Sequence, residues 1–193
     1  MKPDQCRRLM KDMLGDQLYR HSLGAADAAV SLAKCYGADT QKAYLAGLIH
    51  DYGKRYSKKE LLRKAQFMGL PLDRITRQEK RLLHAPVGAA LIRTELNICD
   101  PEIIRAIAYH TTGRSEMTLF EKVIYLADYI EEGREFAGIE RIREIAYISI
   151  DRALLAAVNQ AIRSVLVKGA MLHPRSVAFR NSLLTGITSE DHL

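Results

Sequence analysis

A histidine and an aspartate side by side are the first sign of chemistry in this sequence. In the segment LAGLIHDYGK, His50 and Asp51 directly follow the apolar residues LAGLI. A carboxylate at the end of an apolar helix needs a compensating partner, and a metal cation is the simplest one. A single histidine on such a helix is more often a hydrogen-bonded structural residue. The pair becomes informative only if other ligands can reach it.

Other residues of the same types lie near predicted helix ends or turns. They are His21, His84, His110 and Asp128. Imidazole and carboxylate ligands without thiolate suit iron, manganese, cobalt or zinc, whereas a shell of oxygen atoms alone would favour magnesium or calcium. The residue types therefore predict a transition-metal site.

The elements that must position these residues are helices. Helix start and stop signals recur along the chain and strand patterns are nearly absent, so we predict an all-α fold of about eight helices. The predicted helices span about 4–14, 16–36, 39–53, 58–67, 101–110, 118–130, 151–168 and 174–184. No repeat or linker marks a boundary, so we expect one domain over 1–193, with a frayed tail at about 185–193.

Composition and charge exclude several classes of protein. With 193 residues, 48% of them apolar, the chain can bury a full core, which excludes disordered and fibrous proteins. No apolar run reaches the ~18 residues of a membrane helix, and the first twenty residues are too charged for a secretory leader, so we expect a cytoplasmic protein without membrane association. The three cysteines are odd in number and widely spaced, which argues against both a set of disulfides and a zinc site built from thiolates. A net charge of +6 suits a polyanionic ligand but is too dispersed to predict nucleic-acid binding.

The order of the candidate ligands resembles the HD-domain metal-dependent phosphohydrolases, whose pattern is a histidine, an HD pair and a distant aspartate. His21, His50, Asp51 and Asp128 match that pattern. The chain is similar above all to the YqeK-type subfamily, symmetrical diadenosine tetraphosphate hydrolases that release two ADP. The likeness covers most of positions 19–174 and is carried by YRHSLGAA, LAGLIHDYGK, HAPVGA, AYHTTGR, MTLFEKVIYLADYIEEGRE and KGAMLHP.

The resemblance implies an HD-domain helical bundle with a catalytic metal. The implied ligands are His21, His50, Asp51 and Asp128. Two imidazoles and two carboxylates leave coordination positions for water and a phosphoryl oxygen, so metal-bound hydroxide could attack the phosphorus. We expect iron, as one or two ions, with manganese, cobalt or zinc as alternatives. If Asp51 bridges, His84 and His110 could hold the second ion; otherwise they would donate hydrogen bonds to phosphate.

Besides a metal, hydrolysis of a phosphate chain requires positively charged side chains that neutralise the phosphates. Lys54, four residues after the histidine of the HD pair, shares its helix face if that helix continues so far, and Asp51 and Lys54 are the predicted catalytic residues. Arg134 could pair with two phosphate oxygens or with a nearby glutamate, and Arg114 is a weaker candidate. His173 either contacts the nucleotide or belongs only to a helix connection. The predicted substrate contacts are His21, Lys54, His84, His110, Asp128, Arg134 and His173.

The leading hypothesis is a symmetrical bis(5'-nucleosyl)-tetraphosphatase with ADP or a GDP-like nucleotide as product. The alternatives are a broader nucleotide phosphatase or phosphodiesterase, a nucleotide sensor without catalysis, and an iron oxygenase; RNA binding is the weakest. The sequence leaves purine preference and oligomeric state open, and a homodimer is compatible with it.

Overall fold

The computed structural model describes residues 3–187, and eleven α-helices make up most of that range. The helices are α1 (Pro3–Met13), α2 (Asp16–Tyr36), α3 (Thr40–Ile49), α4 (Lys58–Phe67), α5 (Arg74–Gln78), α6 (Lys80–Glu95), α7 (Pro101–Tyr109), α8 (Leu119–Ile130), α9 (Ile139–Ala146), α10 (Ile150–Val167) and α11 (Pro174–Gly186). A 3₁₀ turn, Tyr52–Arg55, follows α3. No strand occurs within residues 3–187. The predicted all-α class is confirmed.

Local capping chemistry sets several helix starts. The Ser57 hydroxyl accepts the backbone N–H of Glu60 at 3.3 Å, and the Glu60 carboxylate accepts the N–H of Ser57 at 2.7 Å. Thr118 and Glu121 form the same reciprocal pair before α8. Each box satisfies two backbone donors that a helix start would otherwise leave open. Both predicted starts are confirmed.

Three helices were not among those predicted, namely α5, α6 and α9. The pattern of α6 is obscured by Pro86, which removes one backbone N–H from the helix interior. The helix persists because its flanking residues Leu83, Val87 and Leu91 are buried in the core. The helix α11 continues to Gly186, and residues 188–193 lie outside the described range, so the frayed tail at about 185–193 stays a prediction.

The end of α3 also differs from the prediction. The helix stops at Ile49, and Gly53 lies in the 3₁₀ turn rather than at a helix end. A Cβ atom on Gly53 would overlap the backbone carbonyl of His84, so the absence of a side chain lets this turn pass directly over α6. Gly53 is thus required for close approach between two backbones.

One contiguous set of buried apolar side chains runs through the described helices. Within it α2 packs against both α3 and α8, and α6 packs against α7. A Cβ on Gly47 would lie 2.7 Å from the Cα of Ala26, so α2 and α3 cross at very short range. These helices carry the candidate ligands. That the chain forms a single domain stays a prediction.

Among residues 3–187 no helix has the length and apolarity needed to cross a bilayer.

Candidate metal centre

The HD pair lies at the buried end of α3. His50 is the residue directly after the helix, and its Nδ1–H donates to the Gly47 carbonyl at 2.7 Å. His110 stands in the same position after α7 and donates from Nδ1 to the Ile107 carbonyl at 2.7 Å. His21, in the second turn of α2, donates from Nδ1 to Glu131 Oε1 at 3.0 Å. Because Nδ1 carries the proton in each case, the neutral ring presents a lone pair at Nε2.

The Nε2 atoms converge in two pairs on either side of one carboxylate. His21 and His50 approach each other at 3.2 Å between Nε2 atoms, and His84 and His110 at 3.1 Å. Asp51 lies between the pairs and is fully buried. Its Oδ2 is 3.3 and 3.2 Å from the first pair, and its Oδ1 is 3.1 and 3.5 Å from the second. One carboxylate therefore faces four imidazoles.

Asp128, from the last turns of α8, completes the first half of the cluster. Its Oδ1 lies 3.0 Å from His21 Nε2 and 3.6 Å from His50 Nε2. The structure thus brings together the six residues whose types suggested a shared site: His21, His50, Asp51, His84, His110 and Asp128. His84 differs from the prediction in one respect, because it lies inside α6 rather than near a helix end.

The donor set fits a divalent transition ion. Two Nε2 lone pairs at 3.1–3.2 Å repel each other unless a proton or a cation lies between them. Asp51 Oδ1 is buried and has no hydrogen-bond partner, although His84 Nε2 lies 3.1 Å away. A buried carboxylate oxygen without a donor carries a large desolvation cost that a cation removes. Nitrogen and oxygen ligands together favour a transition metal.

Protons take the place of a cation in the first half of the cluster. Burial alone would lower the pKa of His21, but hydrogen bonds to Asp128 and Asp51 outweigh it and raise the pKa to about 9. Burial likewise opposes protonation of His50, whose pKa is raised to about 10 chiefly by the charge of Asp51. His84 differs, since burial lowers its pKa to about 4 and leaves it neutral near pH 7. A metal must therefore displace protons from the first pair.

Comparison with known proteins assigns the chain that carries these residues to a family. The HD domain family model matches residues 18–133, which include His21, the HD pair and Asp128. This chain belongs to the HD domain family. The predicted HD-domain helical bundle is thereby confirmed.

Two curated relatives and one solved structure extend the likeness over nearly the whole chain. A Halalkalibacterium halodurans protein named "Bis(5'-nucleosyl)-tetraphosphatase, symmetrical" is 38% identical over 95% of this chain and 98% of its own. A Bacillus subtilis protein of the same name is 35% identical over 96% and 100%. The crystal structure of a "predicted HD superfamily hydrolase involved in NAD metabolism" from Clostridium acetobutylicum superposes with a TM-score of 0.92, at 38% identity over 96% of this chain and 98% of that one.

Two cations border the HD centre on its solvent side. Lys54 Nζ donates to Asp51 Oδ2 at 2.5 Å, and the Arg134 guanidinium donates to the carboxylate and backbone carbonyl of Asp128. Lys54 is 37% exposed and Arg134 38%, so both reach from a buried carboxylate to solvent. The α3 helix ends before Lys54, and it is the 3₁₀ turn that directs this lysine to the site.

Two other candidates have structural partners away from the HD cluster. His173 caps α11, accepts the Arg175 backbone N–H at 3.1 Å on Nδ1, and contacts Asp73 Oδ2 at 3.1 Å through Nε2. Arg114 pairs with both carboxylate oxygens of the buried Glu121, at 3.1 and 2.7 Å. Capping and ion pairing account for both positions, and substrate contact by His173 stays a prediction.

Glu131 is the residue that sequence reasoning missed. Its Oε1 accepts His21 Nδ1–H, and its Oε2 accepts the Gly133 N–H at 2.7 Å. A carboxylate that fixes the outer nitrogen of a metal-ligating histidine sets its tautomer and raises its basicity. The only signal in the sequence was its place in the segment YIEEGR, which does not distinguish it from Glu132.

Proposed function

We propose that this protein is a metal-dependent hydrolase that splits diadenosine tetraphosphate at the central anhydride and releases two ADP. The observation that carries the proposal is the buried Asp51 carboxylate between two converging imidazole pairs, one of which includes His21 on the wall of a cavity. The names of the full-length relatives from Halalkalibacterium halodurans and Bacillus subtilis support the reaction and the substrate.

The ion would be held by His21, His50, Asp51 and Asp128. The two oxygens of Asp51 face different imidazole pairs, which supports a bridging role and a second ion at His84 and His110. When bound, a divalent transition ion supplies a Lewis acid that polarises a phosphoryl oxygen and lowers the pKa of coordinated water. Among the metals that accept these ligands we propose iron.

Lys54 and Arg134 hold the phosphate chain. Each pairs with a ligand carboxylate while the centre carries only protons. With an ion held by Asp51 and Asp128, these carboxylates would attract the two cations less, and the ammonium and guanidinium would be available to pair with phosphate oxygens. Phosphoryl transfer depends chiefly on positioning and charge neutralisation, so no protein nucleophile is required.

The test is product analysis with metal-loaded protein and diadenosine tetraphosphate. We expect ADP as the only nucleotide product, and the Asp51→Ala variant should lose bound metal and turnover together. ATP with AMP in equal amounts would contradict central cleavage. Binding at micromolar concentration without turnover would support the sensor alternative, and comparable kcat/KM for ATP, GTP or cyclic nucleotides would support a broader phosphatase.

We also propose that the protein acts in the cytoplasm. Cys35 and Cys99 are exposed and unpaired, and free surface thiols suit a reducing compartment. A nucleotide is the proposed partner. The homodimer and the lack of nucleic-acid binding stay predictions.

A further inference from the structure

A polar groove runs from the metal centre along one exposed face of α2. Its first part, about 610 Å³, is lined by residues from α2 and from the segment after α8, including His21, Arg20 and Arg134. A second part, about 380 Å³, shares Gly24 with the first and ends at Tyr147. Both volumes lie in the range of small-molecule sites. We call this continuous depression the α2 groove.

The helical spacing of α2 builds one wall of the groove. Residues 17, 20, 24, 27 and 31 recur every three or four positions, so they share one helix face. From His21 to Ser31 the helix rises about 15 Å, at about 1.5 Å per residue. Gly24 makes room for the Glu131 carboxylate, which a Cβ at position 24 would overlap. This face of α2 therefore lines both parts of the groove, from Gln17 near the metal centre to Ser31.

Two arginines, Arg20 and Arg134, line the first part of the groove beside the carboxylates of Asp27, Glu131 and Glu132. Arg20 is exposed and, within the described part of the chain, its side chain forms no hydrogen bond or ion pair. It lines the same cavity as Arg134, which is already proposed to hold phosphate. An arginine without an acidic partner, next to a phosphate site, is free to form charge-assisted hydrogen bonds to a further phosphate group.

The far end offers a flat surface and acceptors. Tyr147 is 47% exposed at the end of α9, and Asp27 and Glu132 line the groove between it and the metal. Every nucleobase can stack on an exposed aromatic ring. Carboxylates accept hydrogen bonds from ribose hydroxyls or an exocyclic amine. Along the groove, the arginines come first, then the carboxylates and then the tyrosine ring. This order matches the phosphates, the ribose and the base of a nucleoside diphosphate.

Central cleavage requires two such halves on opposite sides of the attacked phosphorus. A different cavity, of about 50 Å³, lies on the His110 side and is lined by Thr111, Tyr125 and His173. The α2 groove opens on the His21 side of the same cluster. The α2 groove therefore includes a candidate ligand, His21, whereas the smaller cavity reaches only Thr111, the neighbour of His110 in the chain.

We propose that the α2 groove binds the second nucleoside diphosphate half of the substrate, with Arg20 on its phosphates and Tyr147 stacked on its base. This inference rests on the proposed function. It assigns a binding role to residues outside the metal cluster, and it predicts that they affect substrate affinity without affecting metal content.

The test combines ADP titration calorimetry with kinetics on metal-loaded protein. We expect two ADP molecules to bind per wild-type chain, and Arg20→Ala and Tyr147→Ala to weaken one of the two sites by about tenfold or more. KM for diadenosine tetraphosphate should rise by a similar factor, while Tyr147→Phe should retain stacking and near wild-type KM. Arg93→Ala and Phe67→Ala, at exposed positions outside the groove, are the matched controls.

One ADP per wild-type chain, or unchanged affinity and KM in both groove variants, would overturn the groove assignment alone. Failure of the wild-type protein to produce ADP would instead refute the proposed reaction. Because calorimetry does not require turnover, the two failures can be told apart.

Discussion

Replacing Glu131 by glutamine tests how the first half of the metal centre is held. Its two carboxylate oxygens accept from two different donors, His21 Nδ1–H at 3.0 Å and the Gly133 N–H at 2.7 Å. Glutamine has nearly the same shape but only one acceptor oxygen. Its NH₂ group must therefore face one of the two N–H donors, and the histidine ring loses the negative charge that orients it.

The expected effect follows from the position of this carboxylate behind a ligand. Loss of such a partner typically costs 10–100-fold in metal affinity, about 1.4–2.8 kcal/mol. We expect Glu131→Gln to lower metal affinity by that factor, measured by competition with a chelator of known affinity and by elemental analysis of the purified protein. Glu135→Gln, an exposed neighbour, should match the wild type. A Glu131→Gln variant with wild-type metal affinity would refute the view that this carboxylate orients His21.

Three further predictions concern packing, protons and a surface arginine. Gly53→Ala should lower the free energy of unfolding by about 1–3 kcal/mol in urea titrations, because the new Cβ overlaps a carbonyl of α6, and an unchanged value would contradict that contact. Metal affinity should rise by at least about tenfold per pH unit from pH 6 to 8, because binding displaces protons from His21 and His50, whose pKa values are about 9 and 10. Calorimetry in two buffers should show that protons are released when the metal binds. Binding without proton release would contradict this competition between protons and metal. Arg114→Ala should destabilise the fold by about 1–3 kcal/mol, because the buried Glu121 loses its two-point partner and keeps only the Thr118 N–H and the more distant Arg105. Turnover per folded molecule should be normal, and reduced turnover in folded protein would indicate a phosphate contact instead.

Much of the fold could be predicted because its signals are local. A capping box needs only two residues three apart, and the boxes at Ser57 and Thr118 start helices as expected. The interior proline hid α6, since that helix depends on packing around Pro86 rather than on propensity. Tertiary burial, which no short window of sequence reports, decides such cases.

In the candidate site, too, some features could be predicted from the sequence and others could not. Before any geometry was known, the residue types pointed to a transition-metal site, and the resemblance to the HD-domain phosphohydrolases implied His21, the HD pair and Asp128 as its ligands. The orientation of each ring could not be predicted. It depends on contacts between residues far apart in the chain, such as Glu131 with His21, separated by 110 positions. Lys54 was assigned to the site on the assumption of a continuing helix, whereas a 3₁₀ turn directs it there.

The central claim is that one ion centre is built from residues of two helices, α2 and α8, and of the segment that follows α3. Anomalous diffraction from crystals of metal-loaded protein, collected at the absorption edges of iron, manganese, cobalt and zinc, tests it most directly. We predict an anomalous peak about 2.0–2.2 Å from the Nε2 atoms of His21 and His50 and from carboxylate oxygens of Asp51 and Asp128. Metal bound elsewhere, or these four side chains turned away from the peak, would contradict it.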